Sequence, residues 1–497
     1  MDFVLAIPLS VVLGLVLFQA LRFLTTRNAK LPPGPARLPV IGNLLDLGHK
    51  PHKSMARLAK IHGPLMSIKI GQVTTIVISS ATLAKEVLQK YDSVLSDRQV
   101  PDAIRVLDHH EFGIGFLPVG PLWRNLKKIC NSHIFTTQKL DANQELRCKK
   151  VQELLADVQE HRVAGKAVYI SQAVFKAIFN AMSNTFFSLD LIDSSSGTSH
   201  KEVMRGMMDE IGKPNLANFF PILRYFDLQG IRRRMESHVA KLFDLFDRII
   251  NERLQSRKME GHVPKNDMLE TLLSIREENN SDMMDNKGIK HLFMELIIAG
   301  TDTTTSTIEW AMAELLRNPW TLRKAREELD QTVGRGNMVQ ESDIARLPYL
   351  QAIIKESLRL HPSAPLLLPR EAREEVELCG FTIPKGAQIL VNAWAIGRDP
   401  SIWDDPESFV PERFLGSNIG VNGQNFEFIP FGSGRRVCLG LPLATRMLHL
   451  MLGSLINSFD WRLEDGVTPE KMDMEDRFGL TLEKAEPLRA IPSQPQS

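Results

Sequence analysis

Ten consecutive residues constrain this chain more than any other feature: Phe431-Gly432-Ser433-Gly434-Arg435-Arg436-Val437-Cys438-Leu439-Gly440. Three glycines and a cysteine stand directly before an apolar helical run, Leu441 to Phe459. Glycine lets a backbone approach a flat ligand closely and adopt φ > 0. A thiolate at a helix amino terminus is stabilised by the positive end of the helix dipole and by free N–H donors. Arg435 and Arg436 can pair with carboxylates on such a ligand. Spacing alone leaves a buried structural cysteine as an equally good reading.

The other cysteines, Cys130, Cys148 and Cys379, form no C-x-x-C pair. Zinc and a disulfide scaffold are therefore poor readings, and a reducing compartment is the better one. The chain has 497 residues and a net charge of +1, so nothing points to nucleic acid as a partner.

A second signal is Ala299-Gly300-Thr301-Asp302-Thr303-Thr304 within a long apolar helical pattern, Lys290 to Leu316. Threonine is a poor helix former that bonds back to the i−4 carbonyl. Such a run beside a glycine weakens the helix, so either it is a solvated helix end or it serves chemistry. An acid next to an alcohol can relay protons.

At the amino terminus, Phe3 to Leu21 carries no charge and is long enough to span roughly 28 Å as a helix. Arg22, Arg27 and Lys30 follow it, and only Asp2 precedes it among charged residues. That bias predicts a single transmembrane helix with the rest of the chain on the cytosolic side, rather than a cleaved signal peptide. Leu31-Pro32-Pro33-Gly34-Pro35 reads as a stiff elbow. The expected organisation is an anchor with its basic flank over residues 1–30, then a proline hinge and one catalytic domain over 31–497.

Leu65 to Ile70 and Thr74 to Ile78 alternate as strands around a Gly71-Gln72 turn. Helical spacing covers Ala81 to Tyr91, Gly120 to Ile129, Leu140 to His161, Ser171 to Phe186 and Gly230 to Arg257. A second strand-like patch runs from Glu375 to Val391, turning at Gly380 and at Lys385-Gly386. The predicted fold class is mainly α with a small β-rich part.

The cysteine stretch resembles the haem-binding loop of the cytochromes P-450, F-x-x-G-x-R-x-C-x-G, filled here by Phe431, Gly434, Arg436, Cys438 and Gly440. Leu439 stands where many plant members carry proline. The helix motif A/G-G-x-D/E-T-T/S of the same family is satisfied by Ala299 to Thr304. Lys355-Glu356-Ser357-Leu358-Arg359 and Pro411-Glu412-Arg413-Phe414 match its E-x-x-R and P-E-R-F elements. Trp123-Arg124-Asn125-Leu126-Lys127 resembles its W-R-x-x-R helix, with lysine in place of the second arginine. The resemblance spans nearly the whole chain and is strongest to the plant geraniol 8-hydroxylase group, in stretches such as Pro51-His52-Lys53-Ser54 and Phe478-Gly479-Leu480-Thr481-Leu482.

That resemblance implies haem b, with Cys438 as the metal ligand and Phe431 and Gly440 shaping its loop. It implies haem-propionate contacts from Arg436, Trp123, Arg124 and Arg370, with Lys127 a weaker candidate. Thr303 would hydrogen-bond the activated oxygen, and Asp302 would help deliver protons. Glu356, Arg359 and Arg413 would form a structural network. The pocket would be lined near Val100 to Phe116, Ile297 to Asp302, Ser363 to Leu368 and Phe478 to Leu482, with Ser363 replacing the usual second proline after His361-Pro362. The implied activity is hydroxylation of a small lipophilic metabolite, best a terpenoid such as the monoterpenol geraniol. Electrons would come from NADPH through a separate reductase, since the chain lacks a G-x-G-x-x-G site. The reductase would dock near Arg124, Lys127 and Lys128, with cytochrome b5 as an optional second donor. The implied location is the endoplasmic reticulum membrane. Diterpenoid or phenolic hydroxylation is the alternative within the family. A reductase-independent isomerase or lyase and a haem sensor are the rivals, and the intact Asp302-Thr303 pair weighs against both.

Overall fold

The structure is a computed structural model and describes residues 30–192, 197–279, 285–464 and 466–495. The expected membrane segment, Phe3 to Leu21, lies outside these residues. Among the described residues no helix is long and apolar enough to cross a membrane.

A helix of 32 residues, Asn286–Arg317, forms the axis of the fold. Asp285 starts it by accepting the Gly288 N–H at 2.7 Å. Asn318 and Pro319 end it, the proline opening the next helix, Pro319–Thr332. Nearly every residue from Gly288 to Leu316 is buried, so the chain supplies apolar side chains around the whole circumference. Helices Ile170–Phe187, Ile231–Arg257, Pro348–Leu360 and Leu441–Ser458 pack against it. Gly300 permits the closest of these contacts: a Cβ there would lie 2.8 Å from the Met182 methyl.

The β part is a five-stranded sheet in the order Leu65–Ile70, Val73–Ile78, Gln388–Val391, Arg370–Glu371, Asp97–Arg98. The predicted hairpin is present, with Leu65 opposite Ile78 and a turn at Gly71, whose φ is 57°. Gln388–Val391 joins it in parallel. The patch after Glu375 divides into Val376–Leu378, Phe381–Ile383 and Gln388–Val391, with left-handed Gly380 and Gly386 at the expected turns. The proline elbow is not a free spacer. Ser67 N–H donates to Pro33 O at 2.8 Å and Ser67 Oγ to Pro32 O at 2.7 Å, so the elbow is docked on the sheet.

Two predicted helices differ in detail. The pattern from Leu140 to His161 is two helices, Thr137–Ala142 and Gln144–Val163, because Asn143 turns its amide back to Lys139 O at 3.0 Å. The pattern from Ala81 to Tyr91 widens into a π-helix over Glu86–Lys90. That widening pushes the Leu88 carbonyl against the cysteine loop, where a Cβ on Gly434 would lie 2.1 Å from it. Gly434 also has φ +71°, so this position needs glycine both for space and for conformation. The three-stranded sheet Val168–Tyr169, Arg489–Ser493, Asp460–Leu463 has no strong sequence signal, since its strands are short and come from distant parts of the chain.

Candidate active site

The cysteine loop closes on itself by the Cys438 N–H donating to Phe431 O at 3.0 Å. Helix Leu441–Ser458 begins three residues after Cys438. Its first N–H groups, from Gly440 and Leu441, donate to the Cys438 sulfur and pull the thiol pKa down, while burial, the larger effect, pushes it up. The thiol is surrounded by protein yet solvent-accessible, so it faces a recess rather than the core.

The central helix supplies a second accessible spot. Ala299 is exposed and Thr303 half-buried in a helix otherwise enclosed. Thr303 Oγ1 donates to Ala299 O at 2.7 Å, and Thr304, Thr305 and Thr307 likewise bond the carbonyl four residues back. The threonine run is therefore neither solvated nor a helix end. Of that run, Thr301, Thr304, Thr305, Ser306 and Thr307 are buried, and Thr303 is the one facing open space. Asp302 is turned aside: Thr481 Oγ1 donates to its carboxylate, which ties the central helix to the hairpin Asp476–Phe478 and Leu482–Lys484. Burial first, and then the nearby Glu483 carboxylate, push the Asp302 pKa well up.

A cationic edge borders the recess. Arg98, Arg370 and Arg436 gather there, and each is pulled down by burial. Arg370 repels Arg98 and Arg436 in turn, and Arg436 falls to about 10. The Arg436 guanidinium lies 4.8 Å over the Trp123 ring. It donates to the carbonyls of Ser96 at 2.9 Å, Ile114 at 3.1 Å and Leu117. Arg370 donates to Asp92 at 2.8 Å and to Ser433 O at 3.2 Å. Asp92 also accepts the Arg435 N–H at 3.0 Å. Lys127 reaches Arg435 O at 2.6 Å and lies 5.0 Å over Trp123, so it braces the cysteine loop. Arg124 is exposed, and among the described residues its side chain joins none of these hydrogen bonds or ion pairs.

Below the loop, Arg359 holds Glu356 by two bonds of 2.7 Å, both side chains at most 1% exposed. Arg413 donates to the same carboxylate at 3.2 Å. Arg359 also serves the carbonyls of Gly397, Pro406 and Ser408 and lies over the Trp403 ring.

A model of the family described as cytochrome P450 (here written P-450) matches residues 32–488. The chain belongs to the cytochrome P-450 family. Geraniol 8-hydroxylase of Catharanthus roseus is 51% identical over 99% of this chain and 100% of its own length. Drimenol monooxygenase of Persicaria hydropiper is 49% identical over 99% of this chain and 97% of its own. Among solved structures, a zebra fish cytochrome P-450 with progesterone superposes with a TM-score of 0.76 and 27% identity, covering 89% of this chain and 99% of that one. The protein is a cytochrome P-450 monooxygenase. Family membership implies haem b as its cofactor.

The residues present fit such a group. A flat apolar disc with two acidic groups needs one thiol donor, apolar walls and cations along one edge. This cytochrome P-450 offers the accessible Cys438, the exposed Ala299 on the central helix, and three crowded arginines whose repulsion a dianion relieves. Sequence patterns did not point to Asp92, Arg98 or Glu295 as parts of this site, and they gave Thr481 only as one residue of the expected lining Phe478 to Leu482. Glu295 had a signal: it is the one acid in the apolar stretch His291 to Thr301.

Proposed function

We propose that this cytochrome P-450 monooxygenase hydroxylates a small terpenoid, a monoterpenol such as geraniol, with Cys438 as the residue that would hold its haem iron. Electrons come from NADPH through a separate flavin reductase, with cytochrome b5 as an accessory donor. Residues 1–30 anchor the chain in the endoplasmic reticulum membrane with the body in the cytosol. The accessible Cys438 sulfur, under two helix N–H groups, is the observation that carries the reading. The names of the 51% identical relatives support the terpenoid, and the open-facing Thr303 offers one hydroxyl beside the exposed Ala299.

Bound haem supplies the activation of dioxygen. The protein residues do the rest. Gly440 and Leu441 N–H groups hold negative charge on the sulfur. Arg370 and Arg436 compensate acidic groups on the cofactor edge. Trp123 supports the Arg436 guanidinium from below. Thr303 offers its hydroxyl to the recess while its ladder bond to Ala299 fixes its rotamer. Asp302 holds a proton near neutrality on the hairpin side of the helix and can pass it inward when the Thr481 bond opens.

The test is Cys438→Ser expressed in microsomes with a reductase. The reduced, carbon-monoxide-treated wild type should show the shifted Soret band of a thiolate-ligated haem, and the variant should lose both the band and product. The wild-type microsomes fed mixed monoterpenols and larger terpenoids should oxidise the smaller alcohols fastest by mass spectrometry. Exclusive oxidation of an aromatic probe would point instead to the breadth suggested by the 48% identical 7-ethoxycoumarin O-deethylase of Helianthus tuberosus.

A further inference from the structure

We infer that Glu295 is a positioning residue that holds the loop Gly113 to Leu117 against the central helix as a movable wall of the recess. The inference rests on the recess beside Cys438 being the substrate cavity.

Glu295, Ala299 and Thr303 follow each other at four-residue steps, so they share one face of the helix. The stem of Glu295 is half-buried on that face, while its carboxyl is enclosed. Oε1 accepts the Gly115 N–H at 2.7 Å, and the carboxyl is also bonded by the Ile114 N–H. The carbonyls of the same loop are gripped from other segments. Arg98 donates to Gly115 O at 3.1 Å and to Leu368 O at 2.6 Å. Arg436 donates to Ile114 O at 3.1 Å and to Leu117 O. The loop is thus held by charged side chains from the helix, the sheet edge and the cysteine loop, and its own backbone bonds, Phe116 and Leu117 N–H to Gly113 O, make it a compact turn that can move as a unit.

The glycines show how tight the fit is. A Cβ on Gly115 would lie 2.2 Å from Glu295 Oε1. One on Gly113 would lie 3.1 Å from Oε2 and 2.7 Å from His109 Cε1. Neither glycine has positive φ, so space alone demands them. A structural acid would be fully paired, yet Oε2 has no partner among the described residues.

Ionisation gives the clasp a pH dependence. Burial pushes the Glu295 pKa up to about 7, against the pull of the two loop N–H groups, Arg436 and Arg98. The Cys130 thiol, raised to about 12 by burial and by Glu295, stays neutral beside it. His109, lowered to about 3 by burial and by His291, is neutral as well. When the loop lifts and water reaches the acid, its pKa returns toward roughly 4.3. A group whose pKa is higher in the closed state favours closure where it is protonated. Closure is therefore fully supported below the open-state value and loses that support as pH rises through about 7.

The experiment uses the haem-loaded full-length protein and 1-phenylimidazole as the probe, with entry and exit rates read from the Soret shift. Glu295→Ala should accelerate exit about five- to tenfold, as expected for losing one or two hydrogen bonds. Gly115→Ala should do the same, because its Cβ expels the carboxyl. In the double variant the clash partner is gone, so exit should match Glu295→Ala alone. Glu295→Gln keeps an acceptor for the loop and should abolish the wild-type acceleration of exit between pH 6.5 and 8.5. Multiplying effects in the double variant, unchanged exit in Glu295→Ala, or a pH-independent exit rate in the wild type would each overturn the clasp. A wild-type protein with no Soret response at all would remove the haem cavity beneath the inference, an outcome distinct from unchanged rates.

Discussion

Glu356 and Glu295 are both enclosed glutamates on long helices, and their surroundings are opposite. Glu356 meets two guanidinium groups and the Val410 N–H at 2.9 Å, so both of its oxygens have donors, three on Oε1 and one on Oε2. Glu295 accepts the Gly115 N–H on Oε1 and has its pKa pulled down by the Ile114 N–H, and no guanidinium among the described residues bonds its carboxyl. The first arrangement locks Pro348–Leu360 to the segment carrying Arg413 beneath the cysteine loop. The second leaves a titratable acid against the loop Gly113 to Leu117. The contrast teaches where this molecule places rigidity and where it places adjustability. Charge in the supporting region is fully compensated, and charge in the region facing the substrate is held back by desolvation.

Breaking the compensated side should have the largest effect. Arg359→Ala leaves Glu356 with Arg413 as its one cation and strands three carbonyls, and should cost about 3–5 kcal/mol, seen as loss of haem-loaded protein and a lowered Tm. Arg359→Lys should not restore it, because one ammonium cannot replace the fork. Next in size is Gly434→Ala, which combines positive φ with the Leu88 carbonyl contact. It should cost about 1–3 kcal/mol and broaden the Soret band. Gly432→Ala shares the positive φ, but its Cβ would meet nothing closer than 3.9 Å, so it should cost less in the same assay.

On the adjustable side, Thr303→Ala should change the stability by no more than about 1 kcal/mol, since its hydroxyl bonds only its own helix. It should still raise peroxide release per NADPH several-fold. Thr305→Ala, buried and bonded in the same way, should leave that ratio unchanged. The smallest effect is the pH slope. Glu295 and Asp302 both have raised pKa values, so they favour the fold when protonated and that support fades as pH rises through their folded values. Asp476 has the opposite sign: burial opposes it, but His52 and Lys53 pull it down, so its support is present above about 3.9 and fades in acid. Glu295→Gln should flatten the Tm decline between pH 6 and 8 and leave the acid limb untouched. A decline that survives this change would assign it elsewhere.

Much of this was legible beforehand because it is local. The hairpin of residues 65–78 came from alternation around Gly71, and the central helix from apolar spacing over Lys290 to Leu316. The glycines of the cysteine loop announced a constrained backbone. Glu356 and Arg359 show the limit of that reading. Their spacing alone describes a weak surface pair, and only Gly397, Pro406, Ser408 and Trp403, brought from far along the chain, make the pair a buried hub. Arg436 is a similar case. Its motif resembled a cofactor contact, and the structure adds that it grips the Ile114 and Leu117 carbonyls.

By itself the sequence determined the periodicities, the turns, the family and the cysteine poised before a helix, since each is written in residues near one another. Tertiary structure alone decided which threonine faces open space, which acids are stripped of water and which carbonyls the arginines hold. The physical reason is that solvation and hydrogen-bond partnership belong to a place in space: the same glutamate is a surface charge, a locked hub or a titratable clasp according to what the rest of the chain packs around it.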